Sequence, residues 1–215
     1  MIPKEMRANI HIPRADTTIP DIWKMMSVEG QILREEAVLL YKLASRVRDG
    51  AIVEIGSFRG KSTTALALGS RAGSSVPVFA IEPHEEFVGV LGGRFGAADR
   101  SVFFRNMLQA ECLDIVRLVN LGAEIVARCW DQPIGLLFID GDHRYESVKR
   151  DFEGFAPWVN QRGLIAFHDS NVDPGRVIRE ALTTGDYDQV LEVGSITVLL
   201  KTSSPNLDSS SCQQI

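Results

Sequence analysis

Ala51-Ile52-Val53-Glu54-Ile55-Gly56-Ser57-Phe58-Arg59-Gly60-Lys61-Ser62 joins a short apolar run, a glycine turn and the start of an Ala- and Leu-rich stretch that reaches Ser70. The run reads as a buried strand, the glycines as a tight turn and the stretch beyond them as a helix. Strand, turn and helix in that order predict the first unit of a parallel sheet covered by helices. The pattern repeats downstream, with a run from Val76 to Ile81 and further runs ending at Asn120, Asp140 and His168. Upstream, from Ser27, Ile32, Leu33, Leu40, Leu43, Ala44 and Val47 recur at helical spacing, and Asp49-Gly50 supplies a stop. After Asp140, Tyr145, Val148, Phe152, Phe155 and Trp158 share one helical face, with Arg144, Lys149, Arg150 and Asp151 turned to water. Val190 to Val193 and Ile196 to Leu200 flank Gly194-Ser195, a connection that predicts a hairpin and an antiparallel strand at the sheet edge.

The chain has 215 residues, 45% apolar and 24% charged, which suits one globular domain with a full core. Its 23 basic and 28 acidic residues leave a net charge of -5 with no long block of one sign, so nucleic acid is not expected as a partner. Cys112, Cys129 and Cys212 are widely spaced and form no Cys-x-x-Cys, which fits a reducing cytoplasm better than a disulfide framework or a zinc knuckle. No apolar run approaches the ~20 residues that cross a bilayer, and no basic start precedes an apolar stretch; neither membrane insertion nor secretion is expected. Residues 1–26, with Pro3, Pro13 and Pro20, read as an extended N-terminal arm, residues 27–201 as the folded domain, and residues 202–215, rich in serine, as a disordered tail. An arm of this kind suits a homo-oligomer.

In open parallel sheets, ligands bind beyond the carboxyl ends of the strands, where the first glycine turn lies. Gly56 and Gly60 allow close approach to the backbone, although a tight connection needs glycine in any case. Gly56 to Ser62 also resembles a phosphate-binding loop, but that loop needs four residues before Gly-Lys and here there are three. Glu54 would oppose a polyphosphate and suits a ligand with a cationic centre. Glu82, at the end of the next strand, stands where an acid commonly binds the ribose hydroxyls of an adenosine cofactor; the bland alternative is a solvated carboxylate. The Gly-x-Gly-x-x-Gly fingerprint of nicotinamide enzymes is absent.

Together with Leu137-Phe-Ile-Asp-Gly-Asp-His-Arg-Tyr145 and Gly163-Leu-Ile-Ala-Phe-His-Asp169, these strings resemble class I S-adenosylmethionine-dependent methyltransferases. The similarity is to the small bacterial sugar and macrolide O-methyltransferases, related in layout to catechol O-methyltransferase, and it runs from about Ser27 to Lys201. It implies a Rossmann-like, doubly wound α/β sheet of seven strands, the last antiparallel, with helices on both faces. It implies that Glu54, Gly56, Ser57, Gly60 and Ser62 line S-adenosylmethionine, with Glu82 on the ribose and Phe58, Asn120 and Leu121 nearby; Asp140 can also orient the cofactor.

Asp140, His143, His168 and Asp169 end two strands expected to be neighbours, and two carboxylates with an imidazole suit Mg²⁺ or a similar ion. The resemblance implies that Asp140 and Asp169, with His168 as a further donor, hold a divalent metal, and that His143 is the general base beside Asp140. His168 departs from the acid usual at its position. Asp142 reads as a cap of the helix starting near His143. His11 and His84 read as surface residues, His84 near the adenosine end of the cofactor. The expected reaction is O-methylation of a small hydroxylated acceptor, a sugar or secondary metabolite, chosen by the N-terminal arm and the loops at 27–30, 85–100 and 171–175. The other readings are a metal-independent methyltransferase, a hydroxylase-associated relative, a nucleotide hydrolase and a non-catalytic cofactor-binding module.

Overall fold

β1 (Ala51–Ile55) is buried along its whole length, as a strand flanked on both edges and covered on both faces must be. The computed structural model to which it belongs describes residues 19–20, 22–89 and 92–202. β1 pairs in parallel with β2 (Val78–Ile81) and β6 (Ile134–Ile139); β2 pairs with β5 (Val116–Val119), and β6 with β7 (Val159–Phe167). The hairpin read around Gly194-Ser195 is β8 (Tyr187–Val193) and β9 (Ile196–Lys201). The seven-stranded order is β5-β2-β1-β6-β7-β9-β8, so β9 is the antiparallel strand and sits one place in from the edge, which β8 occupies. A second sheet, the two-stranded β3 (Phe87–Val88) and β4 (Arg94–Phe95), was not expected.

Side-chain alternation splits the core in two. Ile52, Ala80, Leu136, Phe138 and Ala166 face α1 (Ile22–Ser27), α2 (Arg34–Ala44), α3 (Lys61–Ala72) and α4 (Ala97–Gln109). Val53, Ile55, Leu137, Ile139 and Phe167 face α5 (Ala123–Ala127), α6 (Tyr145–Phe155) and α7 (Asp173–Thr183). The doubly wound expectation therefore holds.

Several local expectations are corrected. The first long helix starts at Arg34 rather than Ser27. Residues 22–26, read as the end of the arm, are helical, with Met25 fully buried. Residues 1–18 of the arm, with His11, and residues 203–215 of the tail lie outside the described residues. The helix expected near His143 starts at Tyr145, so His143 lies in the loop before it. Asp151, expected in water, is buried, because α6 turns it inward beneath Gly141. No helix among the described residues is long and apolar enough to cross a membrane.

Candidate active site and cofactor cradle

In-register pairing brings the site together. Ile55 pairs with Ile139, and Ile139 with Phe167, and the ladder continues one residue further: Asp140 N–H donates to Ile55 O at 2.8 Å and His168 N–H to Ile139 O at 3.0 Å. Gly56, Asp140 and His168 thus stand side by side. Gly56 has φ +87°, and a Cβ there would collide with the carbonyl of Asp140. Glycine at this position lets the turn lie directly on the loop at Asp140 and Gly141.

Gly60, at φ +91°, is the N-cap of α3, and Ser62 and Thr63 stand in the first turn. Glu54 faces this helix and is completely buried, with Thr63 Oγ1 donating to its Oε2 at 2.5 Å. Burial pushes the Glu54 carboxyl up to about 8; Ser62 and Thr63 offset part of that, while the charges of Asp140 and Glu82 add to it. Glu54 Oε1 and Ser57 Oγ are buried and have no hydrogen-bond partner among the described residues. Two unsatisfied polar atoms flanking one glycine turn form a cradle for a polar ligand.

Glu82 is half-buried, which disfavours the alternative of a solvated carboxylate: Phe58 N–H donates to its Oε2 at 3.1 Å and His84 N–H to its Oε1 at 3.0 Å. Phe58 and His84 both have φ near +50°, and such left-handed non-glycine residues concentrate at functional sites. His84 is buried, not a surface residue; its Nε2 lies 2.9 Å from Phe58 O. Asn120 braces the same loop, its Nδ2 donating to the carbonyls of Glu82 and Pro83 at 2.8 and 2.7 Å. Leu121 is exposed beside it. Phe58 packs edge-on against Phe95 of β4, so the unexpected hairpin walls the cradle.

At the other end, His143 lies between two carboxylates, with Nδ1 2.7 Å from Asp169 Oδ2 and Nε2 3.4 Å from Asp140 Oδ1. The contact with Asp140 raises the His143 pKa above its ordinary value, against a smaller opposing effect of burial. His168 Nδ1 is 2.8 Å from Asp140 Oδ1, an ion-pair contact without the alignment of a hydrogen bond. Burial disfavours the His168 imidazolium, but Asp140 and Glu36 outweigh it and lift the pKa to about 10. For Asp140, burial is likewise outweighed by the two histidines, and its pKa is lowered.

The side chains that offer ligand atoms within 4.8 Å of one another are Asp140, His143 and His168. Of the set implied by the resemblance, Asp140 and His168 belong to this cluster among the described residues, while Asp169 lies against His143. Asp142 accepts from Ser147 Oγ at 2.8 Å, in keeping with a structural role at the start of α6.

Glu36 escaped the sequence reading. It is 1% exposed, and its carboxylate accepts from Leu33 N–H at 2.7 Å and from Ser195 N–H and Oγ, both at 2.8 Å, with His168 Nε2 3.5 Å away. Burial works against its charge, but His168, Leu33 and Ser195 bring the pKa to about 2. Glu36 follows Arg34 and Glu35 in the first turn of its helix, and no sequence signal set it apart from that solvated pair.

Residues 53–170 match a family model described as a methyltransferase domain. The methyltransferase PaMTH1 of Podospora anserina, solved with S-adenosylhomocysteine (SAH), superposes with a TM-score of 0.65 at 14% identity, over 86% of this chain and 89% of that one. The O-methyltransferase TomG of Streptomyces achromogenes, involved in tomaymycin synthesis and solved with S-adenosylmethionine (SAM), gives a TM-score of 0.60 at 18% identity, over 80% and 82%. At these identities the likeness is one of fold. A curated relative, the uncharacterized protein y4gI of Sinorhizobium fredii, is 43% identical over 42 residues, which span 20% of this chain and only 5% of that protein.

Proposed function

The chain belongs to the class I methyltransferase family whose model it matches over more than half its length, and from that premise we propose that it methylates a hydroxyl of a small acceptor, a sugar or other secondary metabolite, using S-adenosylmethionine, with His143 as general base. The observation that carries this reading is the pair of contacts on His143, with Asp169 at Nδ1 and Asp140 beside Nε2, one strand away from the glycine turn. The cradle fits the cofactor, because Glu54 Oε1 and Ser57 Oγ await partners that a methionine moiety has. Glu54, Gly56, Ser57, Gly60 and Ser62 would hold that end, and Glu82, fixed by Phe58 and His84, the ribose. When bound, S-adenosylmethionine supplies an electrophilic methyl group.

The rest is done by the chain's own side chains. Asp169 keeps the proton of the neutral imidazole on Nδ1, which leaves the Nε2 lone pair for the acceptor. The hydroxyl proton passes to Nε2, and Asp140 stabilises the imidazolium that forms. An alcohol near ~15.7 and an unperturbed histidine at ~6.5 leave complete transfer uphill by about 12 kcal/mol, so the proton moves as the methyl is transferred, not before. A histidine raised by its carboxylates narrows that gap.

A divalent metal has one observation in its favour, the 4.8 Å cluster of Asp140, His143 and His168. Two imidazoles and one carboxylate suit a borderline ion such as Mn²⁺ or Zn²⁺ better than Mg²⁺, which prefers oxygen. An ion would have to displace the protons that the paired carboxylates favour on both histidines. We therefore assign no step to a metal. Turnover that survives exhaustive chelation agrees with this; loss that Mn²⁺ restores would install the metal instead.

Calorimetry tests the whole reading. S-adenosylmethionine should bind, and Glu54→Ala or Glu82→Ala should weaken it at least roughly tenfold, the loss of one charge-assisted hydrogen bond. Tight ATP binding with no response to S-adenosylmethionine would overturn it.

A further inference from the structure

Five side chains form one line of alternating charge: Glu36, His168, Asp140, His143 and Asp169. Its outer member comes from α2, far from the strand ends in sequence. Glu36 is more deeply buried than any other member of the line, at 1%, and its carboxylate is saturated on three sides by Leu33 N–H and the two donors of Ser195. Burying a carboxylate this far costs free energy, which its hydrogen bonds and a facing charge offset together. The fourth side meets His168, whose other nitrogen lies against Asp140.

The surroundings fit Glu36 closely. A Cβ on Gly194, at φ +61°, would come within 2.5 Å of Glu36 Oε1, so the β8–β9 turn wraps directly on the carboxylate. Ser195 O in turn accepts from Ser170 N–H at 2.9 Å and Ser170 Oγ at 2.8 Å, which ties the same turn to the residue after Asp169. Glu36 is thus fastened to the strand-end loop by two routes, one through His168 and one through Ser195.

We propose that Glu36 is a positioning residue for methyl transfer: it holds His168 against Asp140 and so fixes the carboxylate that faces the base. This rests on the methyltransferase reading for its consequence, but the positioning itself is a property of the free protein. A competing role as a mere cap for the β8–β9 turn uses only the Ser195 contacts. The two roles separate by variant, since Glu36→Gln weakens the contact to His168 and keeps a similar shape, whereas Ser195→Ala removes one donor and leaves His168 untouched.

The test is proton NMR of the full chain labelled with ¹⁵N-histidine, read at the ring N–H signals of His168. In the wild type both ring protons of His168 are expected to be shielded from exchange. Glu36→Gln should speed exchange of the Nε2 proton about tenfold, because the carboxylate that faces it loses its charge, and shift the His143 ring signals. Ser195→Ala should leave the His168 signals in place. Unprotected His168 ring protons in the wild type would overturn the proposal even if Glu36→Gln failed to fold, as would equal effects of the two variants. S-adenosylmethionine calorimetry on the same samples reads the methyltransferase assignment separately, so failure of one is distinguishable from failure of the other.

Discussion

Asp169 Oδ2 lies 2.7 Å from Nδ1 of His143, the shortest contact either ring nitrogen makes with a carboxylate. Asp169 itself has φ +48°, a backbone conformation that few non-glycine residues adopt and that here aims its side chain back at the histidine. A carboxylate at Nδ1 selects the tautomer with a free Nε2. Asp169→Asn should therefore lower kcat roughly 100-fold or more, because the amide can present its donor to Nδ1 and stabilise the wrong tautomer. S-adenosylmethionine affinity should stay within about twofold, since Asp169 is absent from the cradle. Turnover with an acceptor from a screen of hydroxylated compounds, measured beside calorimetry, checks both.

The same contacts set the pH dependence of the rate. As the proposed base, His143 must be neutral to accept a proton, and its contact with the Asp140 carboxylate raises its pKa above 6.5 against the pull of burial. Its active form is lost as pH falls through that raised value. The acidic limb of kcat/KM should lie above 6.5, and Asp140→Asn should move it to lower pH while reducing the rate. A limb near the ordinary carboxylate range would assign the base to an acid instead.

Stability should follow a different curve. His168 is raised from 6.5 to about 10, so its contribution is complete below 6.5 and disappears as pH climbs to about 10. Glu36 is lowered from 4.5 to about 2, so its contribution is complete above 4.5 and disappears as pH falls toward 2. Glu54, raised from 4.5 to about 8, also costs stability progressively over that interval. Glu36 and His168 leave a plateau between 4.5 and 6.5, and Glu54 tilts it downward with rising pH, so the maximum lies near 4.5. Thermal denaturation should show Tm lower by roughly 5–10 °C at strongly alkaline pH than at this maximum.

Much of this was legible in the order of residues. The glycine turn, the strand ends at Asp140 and His168 and the β8–β9 hairpin have local signatures, and the strand ends align because adjacent parallel strands share a register. What stayed hidden depends on contacts between distant segments. Ser195 and Glu36 are 159 positions apart, and nothing near Glu36 in sequence announces its partners. His84 and Asp151 looked like surface residues because polar side chains usually are; each is buried by a loop or strand end that folds over it. Asp169 read as a metal ligand through the family resemblance, whereas its contact with the His143 imidazole depends on how the two loops meet in space.

Gly56 offers a test of how tightly the turn is built. Alanine there would carry a Cβ into the carbonyl of Asp140 and hold a φ of +87° that L-residues resist. Backbone cannot rotate away as a side chain can. Gly56→Ala should lose about 2–4 kcal/mol in urea denaturation and displace the Asp140 loop, with loss of both cofactor binding and turnover. Gly185 is the control: it has φ +79° with nothing within 4 Å of its Cβ, so alanine there should cost only the backbone strain, about 1 kcal/mol.

Glu54 separates stability from function most cleanly. The free protein buries its carboxyl completely and satisfies one oxygen through Thr63, while the other has no partner among the described residues. Ionisation in that setting is opposed by burial and by the nearby charges of Asp140 and Glu82, so the group keeps its proton up to about 8. A cationic ligand reverses the balance, because the carboxylate then gains an opposite charge within the same low-dielectric site. Binding of S-adenosylmethionine near neutral pH should release a proton, seen as a binding enthalpy that changes with the ionisation enthalpy of the buffer. Glu54→Gln keeps the shape and removes the ionisation. It should stabilise the free protein by on the order of 1 kcal/mol or more above pH 8, weaken S-adenosylmethionine at least tenfold and abolish the proton release. Weakened binding with the proton release intact would move the coupling to another group.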